Sequence, residues 1–140
     1  MLSYGERVAI AQAAVNKYSG RPFEWGRADC VRLAAFVLRE AGRPVSLTKA
    51  GAYSTATGAL RALKRAGFST LPEAVSAHGL VEIAPAAAWP GDLMLLPQEG
   101  EGTWGGALVV RLTNGRALGF IDGVGAILQP SALVTAWRLG

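Results

Sequence analysis

The chain contains one cysteine and one histidine in 140 residues. A lone cysteine excludes an intrachain disulfide, and with a lone histidine it excludes a zinc cage of Cys and His ligands. No window reaches the roughly 18 uninterrupted apolar residues of a membrane span. Glu6, Arg7, Gln12 and Asn16 interrupt the apolar residues of the first twenty, so no export signal is read there and synthesis in the cytoplasm is expected. Acidic side chains are the scarcer sign, ten against fourteen basic, for a net charge of +4. That excess does not by itself point to nucleic acid. The arginines are scattered, and only Arg61, Lys64 and Arg65 gather, in a stretch that reads as a solvated helix face. No aromatic-and-basic stacking pattern accompanies them, so nucleic acid is not an expected partner.

What is present reads as one globular domain. Hydrophobic residues make up 51% of the chain and charged ones 17%, far from the composition of disorder. The length suits a single core, so residues 1–140 form one domain, with a helical part over about 1–78 and a sheet part over about 79–140. "SYGERVAIAQAAVNKYSG" opens with a Ser3–Glu6 capping box, carries Val8, Ala11, Val15 and Tyr18 at helical spacing, and stops at Gly20. "RPFEWGRA" reads as a loop. Asp29 then caps a second helix, apolar on most sides and therefore central and buried, which Gly42 and Pro44 end. "STATGALRALKRAGF" gives a third helix and "STLPEAVSAHG" a short fourth, with Pro72 in its first turn.

Beyond residue 80 the period changes. "LVEI", "DLMLL", "ALVVRL", "ALGFI", "AILQ" and "VTAWRL" are short apolar or alternating runs separated by Gly, Pro and Asn. "TNGR" at 113–116 places an Asn-Gly hairpin turn between two of them. Helices first and strands after define an α+β chain with an antiparallel meander of about five or six strands.

Cys30 stands at the start of the central helix. There the positive end of the macrodipole and free backbone N–H groups favour thiolate, and the same N–H groups can hold an oxyanion. Free cysteines are also among the most commonly buried residues, so a nucleophile and a core residue both remain open from position alone.

"RPFEWGRADC", followed by an apolar helix, "PGDLMLL" and a hairpin, resembles the NlpC-type peptidases, small papain-like cell-wall hydrolases. Pro22, Phe23, Trp25, Gly26, Asp29 and Cys30 match that family's first motif, and Gly91, Asp92 and Leu93 its second. The closing "AWRL" and the segment "GAYSTATGALRALKRAG" look more like short phage-encoded relatives found beside tail-tip genes. The resemblance implies a papain-like α+β fold with Cys30 as nucleophile. It also shows departures. Val31-Arg32 replaces the usual Ser-Gly after the cysteine, Trp104 falls where the catalytic histidine belongs, and nothing polar lies around Gly119, where a third residue should. An indole can neither take up the thiol proton nor protonate a leaving amine.

His78, in "AHGLVEI", is the one other candidate base; its alternative role is a helix-end side chain bonding nearby carbonyls. Asp29 reads as a cap and Asp92 as a turn residue opening a strand. Trp25 either lines a cleft beside Cys30 or packs its loop onto the core. Trp104, in the Gly-rich acidic loop "PQEGEGTWGG", is either an interface anchor or part of a mobile hairpin tip. That loop lacks the Gly-Lys-Ser/Thr ending of a phosphate loop, and no metal or cofactor is called for.

Two functions follow as expectations. The first is a structural component of a phage tail tip or baseplate: a catalytically inactive NlpC-type domain located in the virion, whose partners are other phage tail proteins. The second is an active thiol peptidase or amidase cutting peptidoglycan stem peptides, with Cys30 as nucleophile and His78 or a partner's histidine as base. Between them lies a cleft around Trp25 and Cys30 that binds peptidoglycan fragments without cutting them.

Overall fold

The computed structural model describes residues 1–47, 51–98 and 104–140. Its helices are α1 (Tyr4–Tyr18), α2 (Cys30–Glu40), α3 (Ala56–Arg65) and α4 (Leu71–Ala77). Its strands are β1 (Glu82–Ile83), β2 (Leu93–Leu96), β3 (Ala107–Arg111), β4 (Ala117–Ile121), β5 (Val124–Leu128) and β6 (Thr135–Trp137). The α+β class, the helices-first order and all six strand runs are as the sequence predicts.

Each helix starts at a side-chain cap, where an oxygen accepts from an otherwise orphaned backbone N–H. Ser3 accepts from Glu6 N while the Glu6 carboxylate accepts from Ser3 N, completing the capping box. Asp29, Thr55 and Thr70 cap α2, α3 and α4 in the same way. The buried face of α1 is Arg7, Ile10, Ala11, Ala14 and Tyr18, so the helix is rotated from the expected Val8–Val15 stripe by one buried arginine.

The strands form one antiparallel sheet in the order β1-β6-β2-β3-β4-β5. This corrects the simple meander. β2 to β5 do run as a meander, but β6 returns to lie between β1 and β2, with Trp137 opposite Glu82 on one side and Leu93 on the other. Trp137 is fully buried there, and its indole N–H donates to Ser76 Oγ at 3.1 Å. The indole is thus buried with its one donor satisfied, on a strand paired along both sides. The β3–β4 connection is a short turn over Thr113–Gly115, in which Asn114 and Gly115 supply the positive φ values that Asn-Gly offers cheaply.

Both faces of the sheet centre are covered. Leu93, Leu95, Leu108, Val110, Leu118 and Trp137 share a core with Cys30, Leu33 and Val37 of α2. Met94, Val109, Ala117 and Ala136 form the opposite face, closed by Ala88 and bordered by Leu133. Two-sided burial is why β2 reads as a continuous apolar run.

The "RPFEWGRA" segment is more than a loop. Gly20 N donates to Gly125 O at 2.7 Å, Gly125 N to Arg21 O at 2.8 Å, and Phe23 N to Gly123 O at 2.8 Å. Residues 20–23 thus pair with the start of the β5 edge, at Val124 and Gly125, whose backbone groups would otherwise be unpaired. The pairing also fixes where the chain enters α2.

Candidate functional site

The turn before Cys30 is held by one carboxylate. Asp29 is fully buried, with Oδ1 accepting from Arg32 N at 2.9 Å and Oδ2 accepting from Gly26 N at 2.8 Å and from the Tyr53 hydroxyl at 2.7 Å. Burial, then the Asp29 charge, raises the Tyr53 hydroxyl above its ordinary range, so it stays a donor. Gly26 has φ +81°, and a Cβ there would run into the Tyr53 carbonyl. Loop, cap and Tyr53 are therefore one locked unit. Asp29 is the cap the sequence predicts; Tyr53 was not legible, because it arrives from a segment 24 residues away.

Cys30 opens α2 with 7% of its surface exposed. Burial pushes its thiol up to about 12, and the Asp29 charge adds to the rise. Main-chain hydrogen bonding at Leu108, Cys30 and Val31 pulls the other way and does not compensate. Two effects compete at a helix N-terminus, dipole and desolvation, and here desolvation wins. The thiolate that helix-terminal placement favours does not form at neutral pH.

His78 lies just past the end of α4, exposed, with its Nδ1–H donating to Ala74 O at 2.6 Å. Its ring packs 6.1 Å from that of Phe68. Among the described residues no hydrogen bond joins it to Cys30; its nitrogen serves its own helix end.

Trp104 is 6% exposed, which corrects the expectation of a large aromatic presented at a hairpin tip. Residues 99–103 of that loop lie outside the described residues. The Trp104 ring meets Trp25 edge-on at 5.4 Å and Tyr53 at 6.3 Å, and its carbonyl accepts from Leu71 N at 2.7 Å. Trp25 is half-buried and meets Phe23 at 4.8 Å. The contacts continue through Phe23–Phe120, Phe120–Tyr18 and Tyr18–Phe36. Seven aromatic rings thus form one edge-to-face chain from Phe36 to Tyr53, and the indole at the resemblance's histidine position is a middle link in it. The third polar position is closed as well. Gly119 lies on the sheet face with Ala117, where a Cβ would press on Val109 Cγ1, while Leu118 and Phe120 face the α2 core.

A cavity of about 410 Å³ opens among α2, α3, α4 and the sheet, lined by apolar side chains including Val31, Leu63, Phe68, Trp104 and Leu108. Its polar lining side chains are Ser46, Tyr53 and His78, and Cys30 is not among its walls. Among the described residues no group of three or more His, Cys, Asp or Glu could hold a metal ion, and no helix is long and apolar enough to cross a membrane.

Asp92 is more than the turn residue expected. Fully buried, its Oδ1 accepts from Arg7 Nη1 at 2.8 Å and Leu139 N at 2.7 Å, and its Oδ2 from Arg138 Nη1 and Trp89 N, each at 2.9 Å. Arg7 and Arg138 in turn donate to the Gly140 and Ala87 carbonyls. Both guanidinium groups lie over the half-exposed Trp89 ring, at 5.6 and 5.0 Å. The Gly-Asp-Leu motif therefore ties α1, the turn before β2 and the C-terminal strand to a single carboxylate.

This chain belongs to a family described as a domain of unknown function (DUF6950), whose model matches residues 6–139. A solved structure of RipD from Mycobacterium tuberculosis is similar at 17% identity and a TM-score of 0.48, over 94% of this chain and 96% of that one. That protein is described as a non-catalytic NlpC/p60 domain protein, adapted to a peptidoglycan-binding function. A search of curated proteins gave no match.

Proposed function

We propose that this chain is a catalytically inactive domain of papain-like NlpC type, serving as a structural component of a phage tail tip or baseplate within the virion. The observation that carries the inactive reading is the state of Cys30: buried, protonated at neutral pH, with no base in contact among the described residues. Trp104, built into the aromatic chain, supports it by filling the position where the resemblance calls for an imidazole. A hydrolase needs an accessible thiolate and a proton carrier held beside it. The tail assignment is supported by the likeness of residues 51–67 and 136–139 to short tail-tip-associated relatives. Other tail proteins are then its partners, and peptidoglycan fragments are ligands at most, not substrates.

The test has two parts. Phage-like particles banded on a density gradient from the producing strain should contain the chain in a fixed ratio to tail proteins; its absence from them would overturn the tail assignment. Purified muropeptides should survive incubation with the protein, and hydrolysis lost on Cys30→Ala would overturn the inactive reading.

A further inference from the structure

A second cavity, of about 320 Å³, gathers Lys17, Arg21, Arg27, Arg32 and Arg39, with Tyr18 and Phe36 among its walls and no acidic residue lining it among the described residues. These cations are scattered through the sequence, and folding brings them together. The end of α1 supplies Lys17, the β5 edge segment Arg21, the following turn Arg27, and α2 both Arg32 and Arg39.

The partners of these side chains set them apart from the protein's structural arginines. Arg7 and Arg138 are neutralised by Asp92, and Arg43 donates to the Leu139 and Gly79 carbonyls. Among the described residues, no carboxylate pairs with Lys17, Arg21, Arg32 or Arg39. Arg27 has only an exposed contact to Glu24 at 3.5 Å. Instead, the cations rest on aromatic faces: Lys17 Nζ lies 4.7 Å from the Phe36 centroid, Arg39 Cζ 5.7 Å from the same ring, and Arg21 Cζ 5.5 Å from Tyr18. The two rings are themselves locked edge-on at 5.9 Å. Arg32 Nε is buried without a hydrogen-bond partner, a condition that costs free energy unless something else accepts from it.

We propose that this cavity binds a small multivalent oxyanion, of phosphate or carboxylate type. Like charges held together with a single exposed counter-charge, Glu24 beside Arg27, repel, and an anion carrying several charges relieves them together. Guanidinium forks match tetrahedral and planar oxyanions bidentately. The volume is at the small end of ligand pockets, roughly 300–1,000 Å³. The cations line one concavity of this volume, which fits a compact ion. This site is independent of Cys30 and stands whether or not the chain is part of a particle.

The experiment is isothermal titration of the full chain with sodium tripolyphosphate and, separately, with citrate, at constant ionic strength. The wild type binds at least one of them, and the double variant Arg21→Gln/Arg39→Gln weakens that binding tenfold or more. Arg61→Gln, on exposed α3 outside the cavity, leaves it unchanged. A cooperative thermal transition in the double variant establishes that it is folded. Tighter binding of tripolyphosphate marks a phosphate ligand, and tighter binding of citrate a polycarboxylate; either supports the site. No binding by the wild type, or equal binding by the Arg21/Arg39 and Arg61 variants, overturns it.

Discussion

Asp92 and Arg7, 85 residues apart in sequence, meet at 2.8 Å with side chains 0% and 2% exposed. Such a pair is weak evidence of net stabilisation, because two charges have been taken out of water. Breaking it from one side is nevertheless costly, since the remaining charge stays buried. Asp92 also holds Arg138 and two backbone N–H groups, so its removal strands four donors at once. Asp92→Ala is expected to lower stability by about 3–5 kcal/mol in urea unfolding. Arg116→Ala, at an exposed position in the same half of the chain, should stay within about 0.5 kcal/mol. An Asp92→Ala variant as stable as wild type would remove the carboxylate from its structural role.

Tyr53 offers a narrower test of the turn before α2. Its hydroxyl donates to a buried carboxylate, while its ring makes a separate edge contact with Trp104. Tyr53→Phe deletes the first and keeps the second. The expected loss is about 1.5–3 kcal/mol, the range for hydrogen bonds to charged groups. If Tyr53→Phe unfolds at the wild-type denaturant midpoint, the hydroxyl does not hold the cap.

The helix caps, the six strand runs and the α+β order were legible because each is written in a few neighbouring residues. The Ser3–Glu6 box, the Asp29 cap and the Asn-Gly turn need nothing distant to be recognised. What stayed hidden depends on partners far along the chain. Arg7 reads as a polar interruption of α1 until Asp92 is placed beside it, and β6 cannot be seated between β1 and β2 until Trp137 finds Ser76. From sequence Trp104 reads as an interface anchor or part of a mobile hairpin tip because its neighbours are glycines and acids, whereas its burial comes from Trp25 and Tyr53. The cation-lined cavity was invisible for the same reason: no two of its basic residues are adjacent in sequence.

Trp104→His tests the proposed inactive reading by placing an imidazole where the resemblance calls for one. The indole is a link in the aromatic chain, and its removal forfeits contacts on both sides. Stability should fall by about 2–4 kcal/mol, somewhat less than the loss for a buried Trp→Ala. No muropeptide cleavage is expected from the variant, because Cys30 stays buried whatever stands at 104. Turnover by Trp104→His that disappears on adding Cys30→Ala would mean that the thiol is reachable, and the inactive reading would fail.

Cys30 itself gives a pH signature of definite sign. Its folded-state value, about 12, is above the ordinary 9.0, so the folded protein keeps a proton that the unfolded chain releases first. The stabilisation tied to that proton is complete below pH 9 and is lost as pH rises from about 9 toward 12. Cys30→Ala lacks the titrating group, so wild type should lose stability more steeply than the variant across this window, by on the order of a few kcal/mol. Iodoacetamide should likewise modify native Cys30 slowly at pH 8 and rapidly once urea unfolds the chain. Fast alkylation of the native protein, or identical pH–stability curves for the two proteins, would mean that the sulfur is solvated and that the helix dipole, not burial, governs its proton.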